Sequence, residues 1–445
     1  GKTNMKFGFD KYVEIEGHVN MYPLPNALVK ADQVARNHAE LRKYNVYGTL
    51  FKQDLNYKDF GYGHDTVDNL IERNENFIYT ILIKQPATFR QIRDENLYRF
   101  SSKLLDAIKK GKAKIVLSYL FEGDFYNQVD IQAINKFILK YDFKKSDVVL
   151  LTNNLKFKYN EPENANFTTQ VFNYFLVNQW FSKEDLLDDS FIKASGIRLK
   201  EKIDFISTYE KPKKFLSLNR RPRGHRIALF AEIMKDPILK DASVISLGSR
   251  NLEFEKQIQG NPWADWYSSF ITPDYEHGKE TGIAFLNSYD NTKDCFVDSN
   301  LEYNLAFNFN ETLHLNTFVN VLTETLFENE SIFLSEKIFK PILGCQPFIV
   351  FGNPGILSEL RNMGFKTFGE FWDESYDSEL DFTKRLAKII NILKNLAKKT
   401  NKELLEITNK MLPILQHNYE HIRLAARDEV WQLKQTLDEQ FNKQL

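Results

Sequence analysis

Several things that would fix the class of this 445-residue chain are scarce in it. It has two cysteines, Cys295 and Cys345, so no disulfide framework can staple it and no CxxC pair offers zinc ligands. That usage fits a reducing compartment. No apolar run approaches the roughly 18 residues that a membrane helix needs, and the amino terminus lacks a signal-peptide core. The expectation is a cytoplasmic protein with no transmembrane segment. Peripheral membrane attachment stays open, because Gly1-Lys2-Thr3-Asn4 precede Met5 and leave the upstream sequence undetermined.

Excess charge is lacking too. Lys plus Arg number 59 against 60 Asp plus Glu, so 59 − 60 = −1, and the field needed to grip a polyphosphate backbone is missing. Nucleic acid is disfavoured as the main partner, whereas a local anion site is not. The eight histidines are scattered. His417 and His421 share a helical face without a flanking HExxH, which favours a packing role over metal binding. Asp188-Asp189, with Asp185 one turn earlier, has the setting of a helix-terminal acidic cluster, and no metal is expected. Walker A, G-x-S-x-G and GxGxxG signatures are all missing, which disfavours P-loop kinases, α/β hydrolases and Rossmann-fingerprint nicotinamide enzymes.

What the chain does have is 42% hydrophobic and 27% charged residues, the composition of a compact globular protein. Its length predicts two or three domains at roughly 150 residues each. In the first half, short apolar stretches (Val46 to Phe51, Phe77 to Ile83, Lys114 to Phe121) alternate with Lys-rich helical segments. Val148 to Thr152 reads as a buried strand running into the polar turn Asn153-Asn154. The charged, proline-bearing segment Tyr209 to Lys214 marks a boundary. Beyond it come strand Phe215 to Leu218, helix Arg226 to Met234, strand Ala242 to Leu247, an irregular region around Trp263 and Trp266, and strand Thr317 to Thr323. A short helix from Ser335, strand Pro347 to Phe351, helix Gly355 to Met363 and strand Phe365 to Phe368 complete a βαβ series. Residues 379 to about 441 have helical spacing interrupted only by Pro413 and read as one or more long helices. The expected fold class is α/β, with two doubly wound domains. Residues 1–208 form an acceptor-side domain, 209–383 a nucleotide-binding domain, and 384–445 terminal helices that can pack back on the first.

The most informative stretch runs from Glu330 to Gly352. Ser335 stands at a helix N-cap position, with Glu336 and Lys337 in the first turn. A carboxylate there can accept two ribose hydroxyls, and an ammonium beside the positive helix end can hold a diphosphate. A capping Glu and a solvated Lys are the plainer alternative. Upstream, a strand ends at Asn219 and leads into Arg220, Arg221, Arg223 and Arg226, four guanidinium groups within seven positions that suit a diphosphate. A basic linker paired with surface acids is the alternative. Gly352-Asn353-Pro354-Gly355 forms a strand-to-helix turn whose backbone N–H groups can approach an anion or sugar, or else a plain βα turn.

The run Phe333-Leu334-Ser335-Glu336-Lys337-Ile338-Phe339-Lys340, followed by a small-residue turn and a Pro-led strand, resembles the donor-binding signature of α-1,3-fucosyltransferases. Exostosin-type glycosyltransferases have a related acidic segment. The resemblance is confined to the second domain. It implies a GT-B glycosyltransferase that takes a nucleotide-sugar donor and a glycan or other hydroxyl acceptor, with an arginine from the 220–226 segment on the phosphates.

Inverting transfer needs a base for the acceptor hydroxyl. Glu122, at a strand end in Glu122-Gly123-Asp124, is the first candidate, with Asp124 and His18 as alternatives and ordinary turn residues as the plainer reading. Because Lys337 and the arginines can neutralise the departing diphosphate, neither metal nor cofactor is expected. A nucleotide-sugar epimerase or hydrolase of the same shape, or a non-catalytic nucleotide- or glycan-binding protein, stays open.

Overall fold

The computed structural model describes residues 6–9, 11–15, 18–24, 63–82, 100–119, 128–173, 175–177, 189–219, 224–247, 311–327 and 331–442. The protein is α/β, built on one six-stranded and one four-stranded parallel sheet with helices. It divides into two compact units: Gly1–Phe181 with Glu330–Phe333 and Ala426–Leu445, and Ser182–Asn329 with Leu334–Ala425.

The first unit contains β1 (Lys6–Phe9), β2 (Lys11–Ile15), β3 (His18–Leu24), β4 (Gly63–Thr66), α1 (Val67–Glu72), β5 (Phe77–Leu82), α2 (Ser102–Lys109), β6 (Ala113–Tyr119), α3 (Gln128–Lys140), β7 (Val148–Thr152) and β8 (Thr168–Val171). Its large sheet runs β4-β1-β5-β6-β7-β8, every pair parallel, while β2 and β3 form a separate antiparallel pair. Every residue of β6 and β7 is buried, as expected of mainly apolar strands covered on both faces. Leu104 and Ile108 of α2 and Ile134, Phe137 and Ile138 of α3 pack into the same core. The charged residue on β6, Lys114, donates its Nζ to the Ser146 carbonyl, and burial pulls its pKa below the usual lysine range.

The second unit holds α4 (Asp189–Thr208), β9 (Lys213–Asn219), α5 (Gly224–Lys235), α6 (Pro237–Ala242), β10 (Ser243–Leu247), α7 (Glu311–Leu315), β11 (Thr317–Thr323), α8 (Glu336–Leu343), β12 (Phe348–Phe351), α9 (Ile356–Asn362) and α10 (Phe382–Ala397). Its sheet runs β10-β9-β11-β12, all parallel. β9 is the turning strand, because the chain goes to β10 on one side and to β11 and β12 on the other. That makes the carboxyl ends of β9 and β11 a topological switch point, where open parallel sheets leave a crevice for ligands. The last helix, α11 (Asn401–Asn442), contributes its carboxyl-terminal residues to the first unit.

Two sequence expectations need correcting. Helix α4, assigned to residues 1–208 of a first domain, belongs with the second unit. Its Lys202 Nζ donates to the Leu343 carbonyl at 2.9 Å, and Asn409 Nδ2 reaches the carbonyl of its Ser207 at 2.9 Å. The strand expected at Phe365 to Phe368 is irregular chain. Its rings are apolar because they fill the core, with Phe368 edge-on to Phe348 at 5.1 Å, and not because they pair in a sheet. The terminal segment, read as one or more helices, is two, α10 and α11, and α11 runs through Pro413 with Met411 and Leu415 buried on either side.

Candidate functional site

At the switch point, three strand ends are tied together by one side chain. Asn219 closes β9, donates Nδ2 to Ser217 Oγ at 3.2 Å and to the Ser246 carbonyl of β10 at 3.1 Å, and accepts from Thr323 Oγ1 of β11 at 2.6 Å. Both amide hydrogens and the oxygen have partners, so this buried residue braces the crevice. His225, at the start of α5, ties the next layer. Its Nε2 lies 2.6 Å from the Glu324 carbonyl, and its buried ring lies tilted against Phe327, the centroids 4.7 Å apart.

Glu324 directly follows β11 and is fully buried. Its Oε1 accepts from the Ser335 amide and from Ser335 Oγ, both at 3.1 Å, and Oε2 accepts from the Thr325 amide at 3.0 Å. Burial pushes its pKa up, with Glu336 adding to the effect and Lys337 opposing it.

Ser335 is the N-cap of α8, as its sequence position predicts. Its Oγ accepts from the Lys337 amide at 3.2 Å and from Lys337 Nζ at 3.2 Å. The Lys337 ammonium also reaches Thr325 Oγ1 at 3.3 Å and Glu336 Oε1 at 3.2 Å. Burial works to raise the Glu336 pKa, but Lys337 and Lys340 outweigh it and hold the carboxyl below its ordinary range. The Lys337 and Glu336 side chains retain 27% and 16% exposure, so this charged pair is the part of the network that solvent and ligands can reach.

The turn after β12 is shaped by what lies beneath it. A Cβ at Gly352 would fall 2.7 Å from Glu324 Cβ and 2.8 Å from Ile356 Cδ1. Arg385 of α10, 1% exposed, donates Nη1 to the Gly352 carbonyl and Nε to the Glu379 carbonyl at 2.9 Å, and its Nη1 lies 3.5 Å from the Phe327 carbonyl. Burial lowers its pKa to about 10. Beyond the turn, the start of α9 is held by Asp377. Asp377 accepts from Leu357 N at 2.9 Å and Ser358 N at 3.1 Å, and its carbonyl accepts from Gly355 N at 2.8 Å. Asn353 is buried, and so is Arg226, on α5.

Arg220, Arg221, Arg223, Glu122, Asp124, Asp185 and Asp188 lie outside the described residues, as do Trp263 and Trp266. His18 is in β3 and Asp189 opens α4. His417 and His421 stack at 5.3 Å and face the carbonyls of Gly364 and Met363 at 2.8 and 2.6 Å, closing the end of α9. Among the described residues no group of three or more His, Cys, Asp or Glu side chains is arranged to hold a metal ion, and no helix is long and apolar enough to cross a membrane.

Sequence reasoning missed Glu324, His225 and Arg385. For Glu324 the available signal was an acid placed immediately after a mainly apolar strand. For Arg385 there was none, since an arginine in an amphipathic Lys-rich helix reads as a solvated charge.

No family model matches the chain, and no curated protein does. Among solved structures it is similar to the N-terminal domain of Candida albicans trehalose-6-phosphate phosphatase, at 11% identity and a TM-score of 0.40 over 95% of this chain and 84% of that one.

Proposed function

We propose that the protein is a glycosyltransferase of the GT-B type, moving a sugar from a nucleotide-sugar donor to a glycan or other hydroxyl acceptor with inversion. The observation that carries the reading is the partly exposed Glu336 and Lys337 pair at the start of α8, beside the switch point of the four-stranded sheet. In this reading Glu336 accepts hydrogen bonds from the donor ribose. Lys337, with arginines of the 220–226 segment, neutralises the diphosphate as it departs, so the step needs no metal. Glu122 takes the acceptor proton as the new glycosidic bond forms, with Asp124 and His18 as the alternative bases.

The test is calorimetric titration of the protein with a panel of nucleoside diphosphates. One of them should bind, and Lys337→Ala should weaken it by about 2 kcal/mol, the loss of one charge-assisted contact. If every nucleotide is refused, or a folded Lys337→Ala variant binds unchanged, the reading is wrong.

A further inference from the structure

Glu324 touches no exposed surface, yet it controls the polarity of the hydrogen bonds that reach Lys337. A serine hydroxyl has one proton to give. A carboxylate can only accept, so Glu324 Oε1 claims the Ser335 Oγ proton at 3.1 Å while also taking the Ser335 amide at the same distance. The oxygen lone pairs of Ser335 are left facing the Lys337 amide and ammonium, both at 3.2 Å. Resting on the donor-site reading above, we infer that Glu324 is a positioning residue of that site: through Ser335 Oγ it holds the Lys337 ammonium where a diphosphate must bind.

Three further observations converge on this role. The Glu324 stem lies where a side chain at residue 352 would go, so the β12 turn is built around it. Its second oxygen fixes the Thr325 amide, and Thr325 Oγ1 is another contact of the same ammonium, at 3.3 Å. Burial raises the carboxyl pKa, an energetic cost that packing alone would avoid with an apolar residue of similar size.

Glu324→Gln keeps the shape but has one accepting oxygen instead of two, so its NH2 must face either Ser335 or the Thr325 amide, and one of the two arms that hold the Lys337 ammonium is lost. Binding of the best nucleoside diphosphate and of the matching monophosphate is measured in the parent, Glu324→Gln, Lys337→Met and the double variant. We expect Glu324→Gln to lose about tenfold for the diphosphate, with under about twofold change for the monophosphate, and to have no further effect once Lys337 is Met. Equal losses for both nucleotides, or an undiminished effect in the Lys337→Met background, would show a general structural role and overturn the inference. If Glu324→Gln does not fold, Ser335→Ala should give the same selective loss and Ser335→Thr, which keeps the hydroxyl, should restore it; no loss in the first or no recovery in the second also overturns it. A parent protein that binds no nucleoside diphosphate defeats the donor-site reading itself, whereas diphosphate binding that depends on Lys337 but not on Glu324 defeats only this inference.

Discussion

Gly352 and Glu324 occupy one another's space: a methyl group at residue 352 would sit 2.7 Å from Glu324 Cβ, closer than carbon atoms approach without displacement. The turn after β12 and the acid after β11 therefore form a single packed unit beneath the candidate donor site. The neighbouring atom is the root of a side chain fixed by three hydrogen bonds, so it cannot swing aside.

Gly352→Ala is accordingly expected to destabilise the protein by about 1 to 3 kcal/mol, the usual cost of overpacking. Urea unfolding measures it. A variant as stable as the parent would show that the turn and Glu324 can separate without cost.

For catalysis, Glu122→Gln should lower turnover by about 100-fold to 10,000-fold while leaving donor affinity nearly intact, because a base acts only as the transition state forms. Rates within a few-fold of the parent would move the role to Asp124 or His18. Collapsed donor binding would mean that Glu122 holds structure or nucleotide. The same assay with excess EDTA should retain activity. Loss on chelation with recovery on adding manganese would point to an acidic metal site near Asp188.

Two buried bases make stability depend on pH in the same direction. Burial lowers the His314 pKa from 6.5 to about 3, with the Gln346 hydrogen bond opposing and nearby lysines assisting, so between those values the unfolded chain binds a proton that the folded protein refuses. Stability falls as pH drops through that window. Lys211, which donates to the Thr317 carbonyl at 3.0 Å, has its pKa lowered by burial from 10.5 to about 8. The folded protein again holds fewer protons, and stability rises as pH climbs from about 8 to 10.5. Each contributes a slope of up to about 1.4 kcal/mol per pH unit. Unfolding free energies measured across pH should lose the acid slope in His314→Gln and the alkaline one in Lys211→Met.

Much of the framework was legible because its strands are covered on both faces. Val148 to Thr152 and Thr317 to Thr323 are mainly apolar runs of strand length, and the second has the boundaries read from sequence. The N-cap at Ser335 was legible because capping is local. The place of α4 in the second unit was not, since Lys202 and Leu343 meet across 141 residues. Nor was the role of Asn219, whose amide looks like that of any strand-end asparagine until Ser246 and Thr323 supply its partners.

Pro413 shows the same limit from the other side. Local rules end a helix there, but tertiary packing carries α11 through, leaving the missing N–H uncompensated in the backbone ladder. Pro413→Ala, at an exposed position, should therefore stabilise the protein by about 1 to 3 kcal/mol in thermal unfolding. An unchanged or lower midpoint would mean that the helix is bent to suit proline.

Lys114, Lys202 and Lys211 each spend their ammonium on backbone carbonyls and are nearly or fully enclosed, whereas the Lys337 side chain is 27% exposed. In amine-directed labelling this sorts the lysines by kinetics. Lys337 should react early and, if the proposed donor site is right, be shielded by a bound diphosphate, while the three internal amines should react only as the chain opens, so one mass-spectrometric time course would report ligand occupancy at one residue and unfolding at the others.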